Sequence, residues 1–252
     1  AASAGPAFEG GGIKFGMRAS KGAIENFSVN PKTGDPAIVT VGRALPKGIC
    51  GSGLIAAVAA LFMAGMMDER GKFNLDHPSD RLREGEDGPE YVLVYAEDSA
   101  LDRDITLTEP DVDNLMRAKG AMYAAYITLL ESVGLTIHEL DRVILAGGFG
   151  QSINVERAQI IGLLPELPAE RFNFVGNGSL LGARLVALSN PLRQEVGDIV
   201  DKMTNFELSV APGYMDNYTS SLFLPHTECE KLFPEICGRL KEAKQALKQM
   251  AS

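Results

Sequence analysis

Arg142-Val143-Ile144-Leu145-Ala146-Gly147-Gly148-Phe149-Gly150 sets the architecture: four apolar residues run into two adjacent glycines, an aromatic ring and a third glycine. So short an unbroken apolar run, after the helix-breaking Gly134 and the polar Asp141, predicts a strand buried on both faces. Neither Gly147 nor Gly148 carries a Cβ, so the backbone can turn sharply there and a ligand can approach the main chain closely. Ligands of open α/β sheets sit outside the carboxyl ends of the strands, which makes this rim the first place to look for one. A tight strand-to-helix turn with no ligand fits the same run equally well.

Working outward, the segment before it predicts a long helix. Thr108-Glu-Pro-Asp111 supplies a cap, a first-turn proline and acids where the helix dipole favours them, and the helix runs from Pro110 to about Val133. Tyr91–Tyr95 and Asp104–Leu107 read as a hairpin, and 68–90 as an exposed polar loop with at most one short strand near Phe73. Further back, Lys47-Gly-Ile-Cys-Gly-Ser-Gly53 opens an alanine-rich helix over 54–64, and two short strands, Ala23–Val29 and Ala37–Val41, precede it. After the central run come a helix near 155–161, a strand at Phe172–Val175, and Gly176-Asn-Gly-Ser179 leading into a helix over 180–188. A mostly helical tail follows from Pro191, broken at 206–214 and amphipathic near 240–250. The chain opens on the glycine-rich turn Ser3–Ile13 without a strand before it, so upstream sequence is expected.

Composition narrows the function. A net charge of −9 and the absence of tryptophan and of basic–aromatic clusters argue against nucleic acid and anionic membrane as partners. No apolar run reaches the roughly 18 residues of a membrane span. Three cysteines, Cys50, Cys229 and Cys237, fit a reducing compartment better than a disulfide framework, and cytoplasmic localisation is expected. With no Cys-x-x-Cys pair and only three scattered histidines, no metal site is expected within this chain.

Several helix entries carry paired glycines: Gly5 to Gly12, Gly48 to Gly53, Gly147 to Gly150 and Gly176 to Gly178. Helix amino termini present unpaired N–H groups and partial positive charge, so together these turns favour a nucleotide-type ligand. None is a Walker motif or a dinucleotide fingerprint. Lys119, flanked by Ala118, Gly120 and Ala121, sits on a helix face that can approach a sheet or a ligand closely; it reads either as a nucleotide contact or as a snorkelling lysine. Glu9 reads as a ligand to a metal or water, or as a dipole partner at a helix entry; Cys50 as a reactive thiol or, the favoured reading, a small buried filler; and Pro225-His226-Thr227 as a structural turn in preference to a catalytic base.

Taken in order, Ser3-Ala-Gly-Pro-Ala-Phe-Glu-Gly-Gly, Gly48-Ile-Cys-Gly-Ser-Gly-Leu-Ile55, Ala118-Lys119, Leu145-Ala-Gly-Gly-Phe-Gly150, Ile161-Gly-Leu-Leu-Pro165, Val175-Gly-Asn177 with Gly182-Ala183, and Leu222-Phe-Leu-Pro-His-Thr227 resemble the carboxyl-terminal domain of the reductive activators of corrinoid proteins. The resemblance spans nearly the whole chain. It implies an α/β, ribonuclease-H-like, actin-like ATPase fold of the acetate and sugar kinase, heat-shock and actin superfamily, present in part. Residues 1–190 would hold the second half of the ATP-binding domain, with an inserted α/β segment at about 30–107, and 191–252 a helical extension packed on it. It also implies a role: ATP drives one-electron reduction of Co(II) corrinoid to Co(I) in a corrinoid-dependent methyltransferase system, the electron coming from a [2Fe-2S] domain outside this chain. A corrinoid protein and a second copy of the chain are the implied partners. The implied nucleotide residues are Gly5, Glu9, Gly10, Lys119, Gly147, Gly148, Phe149, Gly176 and Asn177. The phosphate hairpins and cluster cysteines of that family are absent here, so this chain alone is expected to turn over ATP weakly or not at all. A docking or dimerisation module with a vestigial nucleotide site, and a small-molecule kinase of the same superfamily, are the alternative readings.

Overall fold

A computed structural model of the chain describes residues 5–147 and 153–250. Three small sheets carry the strands. In the first, β1 (Ala23–Val29) pairs antiparallel with β2 (Pro36–Thr40) and parallel with the two-residue β3 (Gly48–Ile49). In the second, β4 (Leu82–Gly85), β5 (Gly88–Val94) and β6 (Ile105–Thr108) form an antiparallel meander. The third holds β7 (Val143–Ala146) and β8 (Phe172–Gly176), paired in parallel.

Two helices bury the core between them. Helix α1 (Gly51–Met63) lies on β1, and its apolar positions are buried nearly all round: Leu54, Ile55, Val58 and Leu61 lie within the core. That suits a helix without a polar face. Helix α2 (Glu109–Ser132) packs on β5 and β6 and starts with a capping box, the Thr108 side chain accepting from Asp111 N and the Asp111 carboxylate from Thr108 N at 3.0 Å. The same carboxylate accepts from Lys14 N at 2.7 Å, which ties the amino-terminal turn to α2.

The remaining helices are α3 (Val155–Ile160), α4 (Gly178–Leu188), α5 (Asn190–Lys202), α6 (Tyr214–Ser220), α7 (Cys229–Leu232) and α8 (Pro234–Met250). Helix α6 packs on α2, and Glu166 caps α8 by accepting from Glu235 N at 3.0 Å and Ile236 N at 2.8 Å. Among the described residues, no helix is long and apolar enough to cross a membrane.

Three expectations are corrected. The β7 run is not buried on both faces: Val143 and Leu145 pack against the core while Ile144 is 65% exposed, because β8 is the one strand paired with it and nothing described covers its far side. Inside the segment expected to be loop lies β4, whose charged Arg83 pairs with Glu90 at 2.9 Å and Asp104 at 2.8 Å. Finally, two of the three cysteines are joined, Cys229 of α7 to Cys237 of α8; Cys50 is the buried filler its sequence context suggested, its thiol donating to Ile24 O at 3.3 Å.

Candidate functional site

The carboxyl ends of β7 and β8 bring three of the expected residues together. Gly147 has φ +112°, a conformation that side chains with a Cβ rarely adopt, and its N–H donates to Gly176 O at 2.6 Å. Gly176 is itself left-handed, at φ +63°. It feeds into Asn177, the cap of α4, whose Oδ1 accepts from Leu180 N at 3.0 Å. A Cβ added to Gly147 would meet nothing within 4 Å among the described residues, so none of them lays hydrocarbon over the main chain there. Gly178 is closer-packed, its added Cβ coming 3.4 Å from that of Ala146, which seats α4 directly on β7. Gly148 and Phe149 lie outside the described residues.

Gly5, Glu9 and Gly10 belong to a second cluster. The turn they form includes a single 3₁₀ turn, Ala7–Glu9, and Gly12 O accepts from Asn114 Nδ2 of α2 at 2.7 Å. Gly5 and Gly12 line a cavity of about 270 Å³ with Asn114, Arg117, Ala118 and Ala121. Ala118 and Ala121 of α2 therefore stand across a gap from this glycine turn. Glu9 is exposed. Gly10 serves packing: at φ +84°, a Cβ there would come 2.4 Å from Met17 N.

Lys119 corrects the snorkelling reading. It is completely buried, and Nζ donates to Phe223 O and, at 2.8 Å, to Pro225 O. The small neighbours explain why. At Gly120 an added Cβ would lie 3.2 Å from Leu222 Cδ2 and 3.4 Å from Ser221 O, so the bare face of α2 lets the 221–226 loop settle over the lysine. Burial pushes the ammonium pKa well down. In this arrangement the amine clamps a loop through two of its three N–H donors.

Beside it, His226 behaves as the structural turn expected. Its Nδ1 accepts from Glu228 N at 3.0 Å, and burial, with Lys119 nearby, lowers its pKa to about 4. Among the described residues no three histidine, cysteine or carboxylate side chains converge as a metal site would require.

Sequence reasoning missed Arg157. It occupies the third position of α3, capped by Asn154, where the helix dipole disfavours a cation. That misplaced charge was the available signal.

Comparison with known proteins gives these features a family. Residues 1–236 match the family described as the C-terminal domain of RACo, the ASKHA domain. The corrinoid activation enzyme RamQ of Eubacterium limosum is 36% identical over 221 residues, 85% of this chain and 37% of that protein. The [Co(II) methylated amine-specific corrinoid protein] reductase of Methanosarcina barkeri is 29% identical over 232 residues, 83% of this chain and 38% of that one. A solved structure of a reductive activator for corrinoid, iron–sulfur protein superposes with a TM-score of 0.85 at 49% identity, covering 92% of this chain and 37% of its own. This chain thus spans well under half the length of the relatives it matches. It belongs to the family of RACo C-terminal domains, and its fold is the actin-like ATPase fold of ASKHA proteins.

Proposed function

We propose that this chain is the ATP-binding portion of a reductive activator of corrinoid proteins, which returns Co(II) corrinoid to Co(I) in a methyltransferase system. The electron comes from a [2Fe-2S] domain elsewhere in the polypeptide, and the partner is a corrinoid protein. Two relatives named for corrinoid activation or reduction, and a structural neighbour named for the same activity, support the reading.

The observation that carries it in this chain is Gly147. No described residue covers its Cα face, its φ excludes ordinary side chains, and it stands at the carboxyl end of a parallel strand beside the capped start of α4. Such a surface fits the nucleoside part of ATP, which packs against bare main chain. Gly147 and Gly176, with Gly148 and Phe149, would lie against the nucleoside. Asn177 holds the first turn of α4 in place through its own Oδ1. Gly5 and the small face of α2 would border the second cavity, with Glu9 exposed on the same turn and Gly10 fixing the turn's shape. When bound, ATP supplies differential affinity for one conformation over another, the requirement for coupling nucleotide to an uphill electron transfer.

A docking role is favoured by a separate observation. Leu180, Leu181, Leu185 and Leu188 of α4 and Val196, Ile199 and Val200 of α5 are all exposed. A second copy of the chain is one occupant that would cover them, which agrees with the homodimer expected from the family.

Calorimetric titration with ADP tests the nucleotide reading. Gly147→Val places a branched side chain at φ +112°, and is expected to weaken ADP binding at least about tenfold, while a Val at Gly197, also open but ordinary in φ, leaves it unchanged. Equal ADP affinity in the two variants would remove Gly147 from the site.

A further inference from the structure

Away from the glycine rims, Arg157 is a partly buried cation with no ion-pair partner among the described residues. The adjacent carboxylate, Glu156, is taken by Arg239 at 2.8 Å. Within α3, the Arg157 backbone N–H is held by Asn154 Oδ1 at 3.0 Å. Its guanidinium donates from Nη1 to Asn26 Oδ1 at 2.6 Å and to Phe27 O. Nε and Nη2 have no acceptor among the described residues. One nitrogen is thus anchored by β1 while the other edge of the fork is uncommitted. Burial pushes the guanidinium pKa down, and Glu156 offsets this only in part.

This arginine lines a cavity of about 340 Å³ together with Glu25, Asn26, Val39, Ser52 and Asn154. Ser52 stands in the first turn of α1, whose cap residue Cys50 contributes no side-chain cap, so the positive end of a 13-residue helix adds to the same wall. Asn154 spends its oxygen on Arg157 N, which leaves its amide nitrogen as a donor. Donor-bearing Asn26, Ser52, Asn154 and Arg157 share the lining with four apolar residues and with one carboxylate, the exposed Glu25. A guanidinium fixed on one side and without a described acceptor on the other matches the two oxygens of a phosphate or carboxylate group.

We propose that this cavity is an anion site, which takes a small molecule through one oxyanionic group set against the free edge of Arg157. It stands independently of the nucleotide reading of the Gly147 rim. Calorimetric titration of the full chain at low ionic strength, with inorganic phosphate and separately with acetate, is expected to give saturable binding of at least one, and the preferred probe tells which oxyanion the site takes. Arg157→Gln is expected to weaken it at least about tenfold. Because Arg157 also holds Asn26 and Phe27, two wall substitutions carry the test without touching those bonds. Val39→Asp brings a negative charge to the wall and is expected to weaken binding about tenfold; Glu25→Gln removes one and strengthens it about threefold. Adenosine, which has no phosphate, is expected to bind Arg157→Gln as it binds the parent chain. Failure of both anions to saturate, or affinities indifferent to all three substitutions, would overturn the site. Parallel loss of adenosine and phosphate binding in a folded Arg157→Gln would overturn its independence.

Discussion

Helices α1 and α4 begin alike, each at a glycine-rich turn after a strand, and both run on in leucine, alanine and valine. Yet α1 buries ten of its residues, from Gly51 to Phe62, and α4 buries none. The first is enclosed by β1 and α3, whereas the second touches chiefly α5, which is itself exposed. Apolar sequence states a requirement for cover; only the surrounding elements say whether it is met. The difference also bears on the rim proposed for nucleotide. Gly147, Gly176 and Asn177 stand at the edge of the less covered region, and the best-packed part of the chain lies behind them in sequence.

The sharpest way to break that comparison is at Lys119, the tightest joint of the packed region. Lys119→Ala leaves the carbonyls of Phe223 and Pro225 without their donor and opens a hole under the 221–226 loop. A loss of about 4 kcal/mol is expected, since each buried carbonyl left unpaired costs roughly 1–3 kcal/mol. Urea denaturation measures it. Were the lysine a nucleotide contact instead, the variant would keep its midpoint and lose ADP affinity.

Next comes a matched pair of leucines. Leu61 is fully buried in α1, and Leu61→Ala is expected to cost about 3 kcal/mol. Leu185 of α4 is 45% exposed, and Leu185→Ala should cost under about 0.5 kcal/mol in the isolated chain. A large cost at Leu185 would mean that something, a second copy included, already covers α4 in solution; repeating the measurement at several protein concentrations separates the two cases.

Much of the packed region could be read before any coordinates, because its signals are local. Thr108 and Asp111 announce the start of α2 by residue type and spacing, and Gly134 follows shortly after it ends. The strand at Phe172 and the helix after Gly178 were legible for the same reason. What escaped depends on contacts between distant residues. The charges of β4 look like loop until Glu90 and Asp104 supply partners for Arg83. Four apolar residues at β7 cannot say whether one or two faces will be covered. Lys119 and its small neighbours correctly indicated close approach, but the thing approached is a loop a hundred residues later, invisible to any local window. The turn at Gly147 was legible from its pattern, whereas Arg157 was passed over because an arginine in a short helix is ordinary unless its place in the first turn is weighed.

A further effect concerns pH and falls on one side of the comparison alone. His226 lies with Lys119, Glu228 and Lys231 around it, and its folded pKa is about 4 against an ordinary 6.5. Below pH 6.5 the unfolded chain takes up a proton that the folded chain refuses until pH nears 4. This contribution to stability is thus complete above pH 6.5, falls as the pH drops, and levels off below pH 4. Between pH 6.5 and pH 5 it amounts to about 2 kcal/mol, at 1.36 kcal/mol for each unit. His226→Gln should flatten that part of the stability curve while leaving the carboxylate-driven fall at lower pH. Amide exchange, corrected for its intrinsic pH dependence, then resolves the two regions. Protection in α2 around Lys119 should weaken from pH 6.5 to pH 5, because opening there exposes His226 to protons. Protection in α4, which buries no residue, should stay level over the same range. A matching decline in α4 would mean that the two regions unfold as one unit and that the contrast in their packing has no counterpart in their stability.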